Sequence, residues 1–517
     1  MDQLAPRAEP GSKPTFLSRI FPHSDLAIAR RAKYLDEADQ RGICGHAAPA
    51  GKNDLDKDGS MHSDPAASRF VKMEEDTQII EQINGVYLAE DIVALPRTLG
   101  SIGAFWNMIA YSIALGIFSI PMTVATIGVV PFMLINVFFA CLTYYIGYNY
   151  WRIAMMYPGV HSLQQVGDLI FGRWGAYSFT TIQTIFGIFL QGNHALLGGI
   201  AFNNLGWHSC MVILVFVFSV ISFIFTLPRS YKVFAWQAAI SFTSIFTVVI
   251  IAMIASGVTE PQNMGPGDPP KRILAFGSTD QVPHKFLDGV MAVTNIFVSY
   301  GATPAYLPVM AEMSDPRLFI RSLSILVVTS FVLYSIVGCV INYNLGQYTK
   351  SPSLGSLSSI MIKITYGLGL PTILVAGCAS GQVVGKVLFR NVFNGARKRY
   401  LKNPVINWGV WVGINVVTWV IAFVLAEVIP FFSSFLGLES SLFWAFFLCL
   451  APIFYLWRHQ HDYWDTWRNR LGFIVALGII GVSGFLCIAG VWASVVSIRD
   501  QYNSGAVGSP FSCASAN

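Results

Sequence analysis

Gly116, Ser119 and Pro121 stand inside YSIALGIFSIPMTVATIG, residues 111–128, an apolar stretch long enough to cross a bilayer. No charged residue occurs between Arg97 and Arg152, so helix-interrupting residues gather where an unbroken helix would be cheapest. A second apolar run, NIFVSYGATPAYLPVMAEMSDP, carries Ser299, Tyr300, Gly301, Thr303 and Pro304 near its centre, then Pro308. A break frees backbone N–H and C=O groups that lipid cannot satisfy, so it is tolerated where it faces protein or a hydrated cavity. Those freed groups can also bind. Half-helix N-termini suit a carboxylate, and exposed carbonyls suit an ammonium group or a cation. One pair of broken helices can therefore hold both charges of an amino acid backbone while a neighbouring pocket reads the side chain. The alternative is that Gly and Pro here only kink helices for packing.

Ionisable groups inside apolar runs are costly and are functional candidates by default. His194, in FLQGNHALLGG, is placed to relay a proton or line a pocket; a neutral histidine in helix packing is the alternative. Glu312 and Asp315 end the second interrupted run beside Pro316 and Arg317, as gating groups or as a solvated helix end. Asp288 and Glu427 fall near the far interface, where hydration is expected. No carboxylate pair, Cys/His cluster or nucleophile triad is visible within the apolar runs, so neither an enzyme nor a metal site or other cofactor is expected. The eight cysteines show no disulfide framework or metal-ligand spacing.

The elements that must position these residues are membrane helices. Of 517 residues, 54% are hydrophobic and only 12% charged, with mean hydropathy +0.55, far from the roughly 25% charged fraction of soluble domains. A bilayer crossing needs about 20 apolar residues. Eleven such runs occur, near 101–127, 130–150, 176–203, 208–227, 232–257, 286–313, 318–345, 366–389, 405–426, 432–457 and 471–498. The tenth has the least defined start, because PFFSSFLGLESS can also form a short interfacial helix. Assigning alternate loops to opposite sides puts fifteen Lys and Arg on one side and six on the other. The asymmetry predicts eleven spans, a cytoplasmic N-terminus and an external C-terminus.

Interrupted runs one and six lie five spans apart. That odd offset inverts the second unit, as a five-plus-five inverted repeat requires, and leaves the eleventh helix outside it. The expected organisation is an all-α polytopic membrane protein. It comprises a disordered cytoplasmic tail over 1–80, a juxtamembrane segment over 81–100 and a first five-helix repeat over 101–257. An external loop over 258–285, a second repeat over 286–457, an eleventh helix over 471–498 and an external tail over 499–517 follow. The tail is polar, with HSDLAIARRAKYLDEADQ as a candidate surface helix, and is either a solvated leader or a site for ubiquitin ligase or kinase contacts. Residues 1–97 hold 12 Lys and Arg against 16 Asp and Glu, so the basic excess belongs to the membrane part and nucleic acid is not an expected partner.

GIFSIPMTVATIGVVP, YPGVHSLQQVGDLIFGRWG, VSYGATPAYLPVMAEMSDP and VIPFFSSFLGLESS, in that order, resemble the amino acid/auxin permease family. Within it the chain is most similar to fungal neutral amino acid permeases of the methyltryptophan-resistance type, over roughly Leu88 to Trp492. The resemblance implies alternating access and uptake driven by a proton gradient. It also implies that Gly116, Ile117, Phe118 and Ser119 bind the substrate backbone, with Ser299, Tyr300, Gly301, Ala302 and Thr303 completing the site. Where the family often has a Gly-Ile-Leu-Ala-Leu-Pro-like run, this chain has GIFSIP, which leaves side-chain preference open. In proteins with this repeat the first and eighth spans can jointly hold sodium, making Asn107 and Ser380 a candidate ion site and sodium the runner-up to the proton. The leading expectation is a symporter for neutral amino acids, aliphatic or aromatic, at a fungal plasma membrane. A vacuolar carrier, a carrier of an amino-acid-derived specialised metabolite, and a non-transporting amino acid sensor are the alternatives.

Overall fold

The computed structural model describes residues 99–513 except 158–159, 230, 263, 266, 278–285, 394–402, 460–463 and 505–509. The tail over 1–80, with its candidate helix and candidate ubiquitin ligase or kinase contacts, and nearly all of the juxtamembrane segment lie outside the described residues. Among the described residues the chain is all-helical without a strand; Leu99 and Met313 form one isolated bridge.

A helix or helix pair underlies each of the eleven apolar runs. We number them α1 (Ser101–Ile127), α2 (Val129–Met156), α3 (Leu163–Phe171), α4 (Arg173–Asn204), α5 (Met211–Thr226), α6 (Tyr231–Val258), α7 (Phe286–Ser299) and α8 (Tyr306–Glu312). The remainder are α9 (Phe319–Leu345), α10 (Ser359–Val392), α11 (Pro404–Val428), α12 (Phe432–Glu439), α13 (Ala445–Arg458) and α14 (Trp467–Asn503). Among the described residues, eight segments are long and apolar enough to span a membrane, nine with the bent α1. The fourth run yields only the 16-residue α5, and the sixth is divided between α7 and α8. Such a series makes this a multi-pass membrane protein.

Several details depart from the sequence expectation. The eighth helix begins at Ser359 rather than 366, and α14 runs to Asn503. At 37 residues α14 is about 55 Å long, so its ends project past a hydrocarbon core of about 30 Å. The tenth run does not stop as an interfacial helix: α12 passes through a π-helical segment, Ser440–Trp444, into α13. In the loop after α2 the run HSLQQ, residues 161–165, forms a variant of the capping box. Ser162 Oγ accepts from the Gln165 N–H, and Gln165 Oε1 accepts from the His161 N–H at 2.6 Å. The box starts the short α3.

α1 is central, packed against α6, α7, α9 and α10, while α4 packs against α3, α5, α10 and α11. The segment between α6 and α7, expected as an external loop, packs on the α1–α2 turn. Leu274 and Ala275 carbonyls accept from the Val129 and Val130 N–H groups at 3.0 Å each, closing over the α1–α2 turn. Gly128, at φ +87°, has no room for a side chain there, because a Cβ would stand 2.8 Å from the Phe276 backbone. A disulfide joins Cys210, just before α5, to Cys513. The cysteine spacing held no signal for it, since the two residues are 303 positions apart.

Candidate functional site

The first interruption is a bend rather than an unwound gap. α1 turns by 47° between its Ser101–Ile113 and Gly116–Ile127 parts. Pro121 has no N–H, so the Ile117 carbonyl loses its normal helical donor, and a proline inside a helix costs about 3 kcal/mol. Side chains bond to the neighbouring carbonyls: Ser119 Oγ donates to the Gly116 carbonyl at 2.9 Å, and Thr123 Oγ1 to the Ser119 carbonyl at 3.3 Å. Part of the polar character of GIFSIPMT is therefore spent on its own backbone.

The sixth-run interruption is a true break. α7 ends at Ser299, Tyr300 to Ala302 leave the helix, Thr303–Ala305 form a 3-10 turn opened by Pro304, and α8 follows. Gly301 lies against Trp444, where a Cβ would stand 2.7 Å from the ring. Ser299 Oγ donates back to the Asn295 carbonyl at 2.7 Å.

These two interruptions touch. A Cβ at Gly116 would stand 2.7 Å from the Ser299 Cα, so glycine is what lets the helices meet. Tyr334 of α9 serves both: its hydroxyl lies 2.6 Å from the Ser299 carbonyl and 3.0 Å from the Ser112 carbonyl. The Ser299 carbonyl stands at the end of α7, where the helix no longer supplies a donor, and the Ser112 carbonyl lies in the turn before the bend of α1. Tyr300 packs edge-on against Tyr334, and its hydroxyl donates to Asn136 Oδ1 at 2.6 Å. Asn136 Nδ2 in turn donates to Ser335 Oγ at 2.9 Å. All nine expected binding residues, Gly116 to Ser119 and Ser299 to Thr303, are buried. Phe118 points toward Gly369 of α10, whose Cβ would stand 3.9 Å from the ring tip.

Glu312, expected near Arg317, pairs elsewhere. Its Oε1 is 3.1 Å from Lys386 Nζ of α10; Glu312 is buried and Lys386 partly so, and the end of α8 is not a solvated helix terminus. Asp315 instead caps the next turn, accepting from the Arg317 N–H at 2.9 Å. The same region clasps the chain before α1: the Leu99 N–H donates to the Glu312 carbonyl at 3.1 Å, and the Ser314 N–H to the Leu99 carbonyl at 3.0 Å. Ser322 Oγ adds a bond to the Ser101 carbonyl at 2.7 Å. Glu427, expected to be hydrated, is buried at the end of α11.

The remaining candidates are spread out. His194 is buried, with Nδ1 2.8 Å from the Leu190 carbonyl and its side chain against Gly377 of α10. Asn107 Nδ2 donates to the Gly103 carbonyl and Ser380 Oγ to the Gly377 carbonyl, each at 2.8 Å within its own helix. The helices of this pair do meet nearby, through Tyr111, whose hydroxyl donates to the Ala379 carbonyl at 2.6 Å. Asn107 Oδ1 has no hydrogen-bond partner.

Sequence reasoning missed four residues. Tyr334 and Asn136 sit within unbroken apolar runs and carry no charge, and Lys386 reads as a loop-side cation. Glu439 stood at the ill-defined edge of the tenth run. Only Glu439 carried a usable signal, a carboxylate followed by eighteen residues without charge.

The transmembrane amino acid transporter protein model matches residues 97–496. An N amino acid transport system protein of Neurospora crassa is 28% identical over 418 residues, 79% of this chain and 86% of the relative. A transmembrane transporter of Gibberella moniliformis is 25% identical over 88% of this chain and 94% of its own length. Another transmembrane transporter, from Fusarium pseudograminearum, is 26% identical over 78% and 84% respectively. With a match that runs from the clasp before α1 through both interruptions into α14, the chain belongs to the transmembrane amino acid transporter protein family.

Proposed function

We propose that this protein is a proton-coupled symporter of neutral amino acids, aliphatic or aromatic, working by alternating access from eleven spans. The observation that carries the reading is the meeting of the two interruptions at Gly116, Ser299 and Tyr334. Carbonyls of Ser112 and Ser299 that Tyr334 now satisfies are the groups an ammonium would take, and N–H groups freed past each interruption suit the carboxylate. Binding follows when α1 and the α7–α8 pair draw apart, exchanging the Tyr334 hydroxyl and the Gly116–Ser299 contact for the amino acid. Phe118, Ile117, Tyr300 and Gly301 with its neighbour Trp444 would then face the side chain, an apolar lining that fits neutral substrates.

The five-plus-five inverted repeat is supported by the pattern of neighbours. α1 packs on α9 as α8 does on α2, and α4 on α11 as α10 does on α5. Likewise α1 meets α6 as α7 meets α12, and α10 meets α6 as α4 meets α12. Each contact has its image under a five-span offset. On this reading Glu312 and Lys386 with the Leu99 clasp form the inner gate, and His194 takes part in proton coupling. Asn107 and Tyr111 mark the region where sodium would bind if it replaced the proton.

Orientation is read from two independent features. The Lys and Arg excess supports a cytoplasmic N-terminus. The Cys210–Cys513 disulfide agrees, because such bonds persist on the oxidising side of a membrane, where this reading places both the α4–α5 loop and the C-terminus. Plasma membrane is the proposed location. Uptake of labelled leucine, phenylalanine and proline in permease-deficient yeast expressing the chain tests the substrate class. Accumulation of one or more supports the reading; surface expression with binding but no accumulation would overturn it in favour of a sensor.

A further inference from the structure

Glu439 has no role in the site described above, yet it is among the most deeply enclosed acidic groups in the molecule, at 0% exposure. It ends α12 where the helix widens into the π-helical segment Ser440–Trp444, a form found often at functional sites. Its Oε2 has one partner, the amide Nδ2 of Asn193 on α4 at 3.2 Å, and its Oε1 has none. Asn193 Oδ1 is equally unpartnered. An ionised carboxylate in an apolar interior needs a cation or several donors, and among the described residues no Lys or Arg lies within ion-pair distance of Glu439. His194, next to Asn193 along α4, likewise carries an unpartnered Nε2, with its ring against Gly377 of α10. On the other helices packed here, Asp288 of α7 is exposed, Cys487 of α14 is half-buried, and Arg499 of α14 pairs with Asp500.

The amide of Asn193 is ambidextrous. Turned one way it donates to a carboxylate; turned the other, its Oδ1 accepts from a carboxylic acid O–H, and side-chain amides exchange these roles without moving the helix. The contact thus tolerates both forms. It also stands beside the moving part: Ser440 Oγ donates to the Thr294 carbonyl of α7 at 2.7 Å, and Asn295 Nδ2 to Ser433 Oγ at 3.3 Å. α7 leads directly to the break at Ser299.

We propose that Glu439, held by Asn193, is a proton-binding site of transport, coupling its protonation to the position of α7. This rests on the proton-symport reading and names a carrier for it. In each cycle the carboxylate gains one proton from outside as an O–H bond, which favours packing of α12 on α4 and closure of α7. On the inner side that bond breaks, the proton leaves to the cytoplasm, and the carboxylate is restored.

Glu439→Gln tests this, because glutamine matches the neutral acid in shape and cannot titrate. The expected variant exchanges labelled for unlabelled amino acid across the membrane at close to the wild-type rate. It loses the accumulation that wild type builds on a pH gradient, about tenfold per unit for one proton per substrate. A variant that accumulates substrate with wild-type protonophore sensitivity overturns the proposal. Protonophore-insensitive accumulation by wild type overturns the symport reading itself, and is read before any variant. A measurement on wild-type protein guards against a folding defect: dicyclohexylcarbodiimide, which attacks protonated carboxyls in apolar surroundings, should modify Glu439 more at acid than at alkaline pH. No modification at either pH contradicts the proposal.

Discussion

The Tyr334 hydroxyl stands 2.6 Å from the Ser299 carbonyl and 3.0 Å from the Ser112 carbonyl, one side chain serving the last turn before each interruption. A single O–H shared between two carbonyls leaves both underfilled, which suits groups that exchange this partner for a ligand. Removing it leaves buried acceptors unsatisfied, at about 1–3 kcal/mol each. Tyr334→Phe should therefore reach the membrane but lose about tenfold or more in uptake, a loss read by comparing transport per molecule at the surface. Unchanged uptake would remove Tyr334 from the mechanism.

Gly116 and Ser299 offer a paired test. Gly116→Ala places a Cβ 2.7 Å from the Ser299 Cα and closer still to its side chain, so transport should fall steeply. Ser299→Gly removes the side-chain part of that clash. The double variant should recover some transport over Gly116→Ala if helix approach is the defect. No recovery would place the fault in substrate contact at Gly116 itself.

The pair of Glu312 and Lys386 predicts a non-additive cycle. Glu312→Gln or Lys386→Met alone takes this partner from the other charge, a loss of up to about 3–5 kcal/mol for an enclosed pair broken on one side. Combining them should recover most of the thermal stability of detergent-solubilised protein. Additive losses would mean that the pair does not hold the inner side closed.

His194→Asn should flatten the pH dependence of uptake if the imidazole takes part in coupling. The ring already gives Nδ1 to the Leu190 carbonyl, leaving Nε2 as the atom available for a proton. An unchanged profile would assign His194 to packing between α4 and α10 and leave Glu439 as the carrier.

Cys513 reports topology. Reduction of intact cells should expose Cys210 and Cys513 to a membrane-impermeant thiol reagent, and Cys513→Ser should leave Cys210 reactive without reduction. Labelling only after the membrane is opened would place this face in the cytoplasm and reverse the orientation.

How legible was this in the sequence? The helices were, because apolar length and charge-free stretches dictate them: each of the eleven runs carries helix in the structure. The interruptions were also visible in GIFSIP and SYGATP, since Gly and Pro act on their own backbone. Partners across the bundle were not. Tyr334 lies 35 residues from Ser299 and 222 from Ser112, and nothing local distinguishes it from other membrane tyrosines. Glu312 looked solvated because Arg317 is near in sequence, whereas packing turns it toward Lys386, 74 residues away. Span edges erred where helices outrun the bilayer, as α10 and α14 do.

The most direct measurement is transport by the purified chain in proteoliposomes, with an acid exterior, a neutral interior and no sodium. The account predicts accumulation of a neutral amino acid above its external concentration, collapsing when a protonophore removes the pH gradient. Accumulation that requires sodium, or equilibration without accumulation under the gradient, would contradict it.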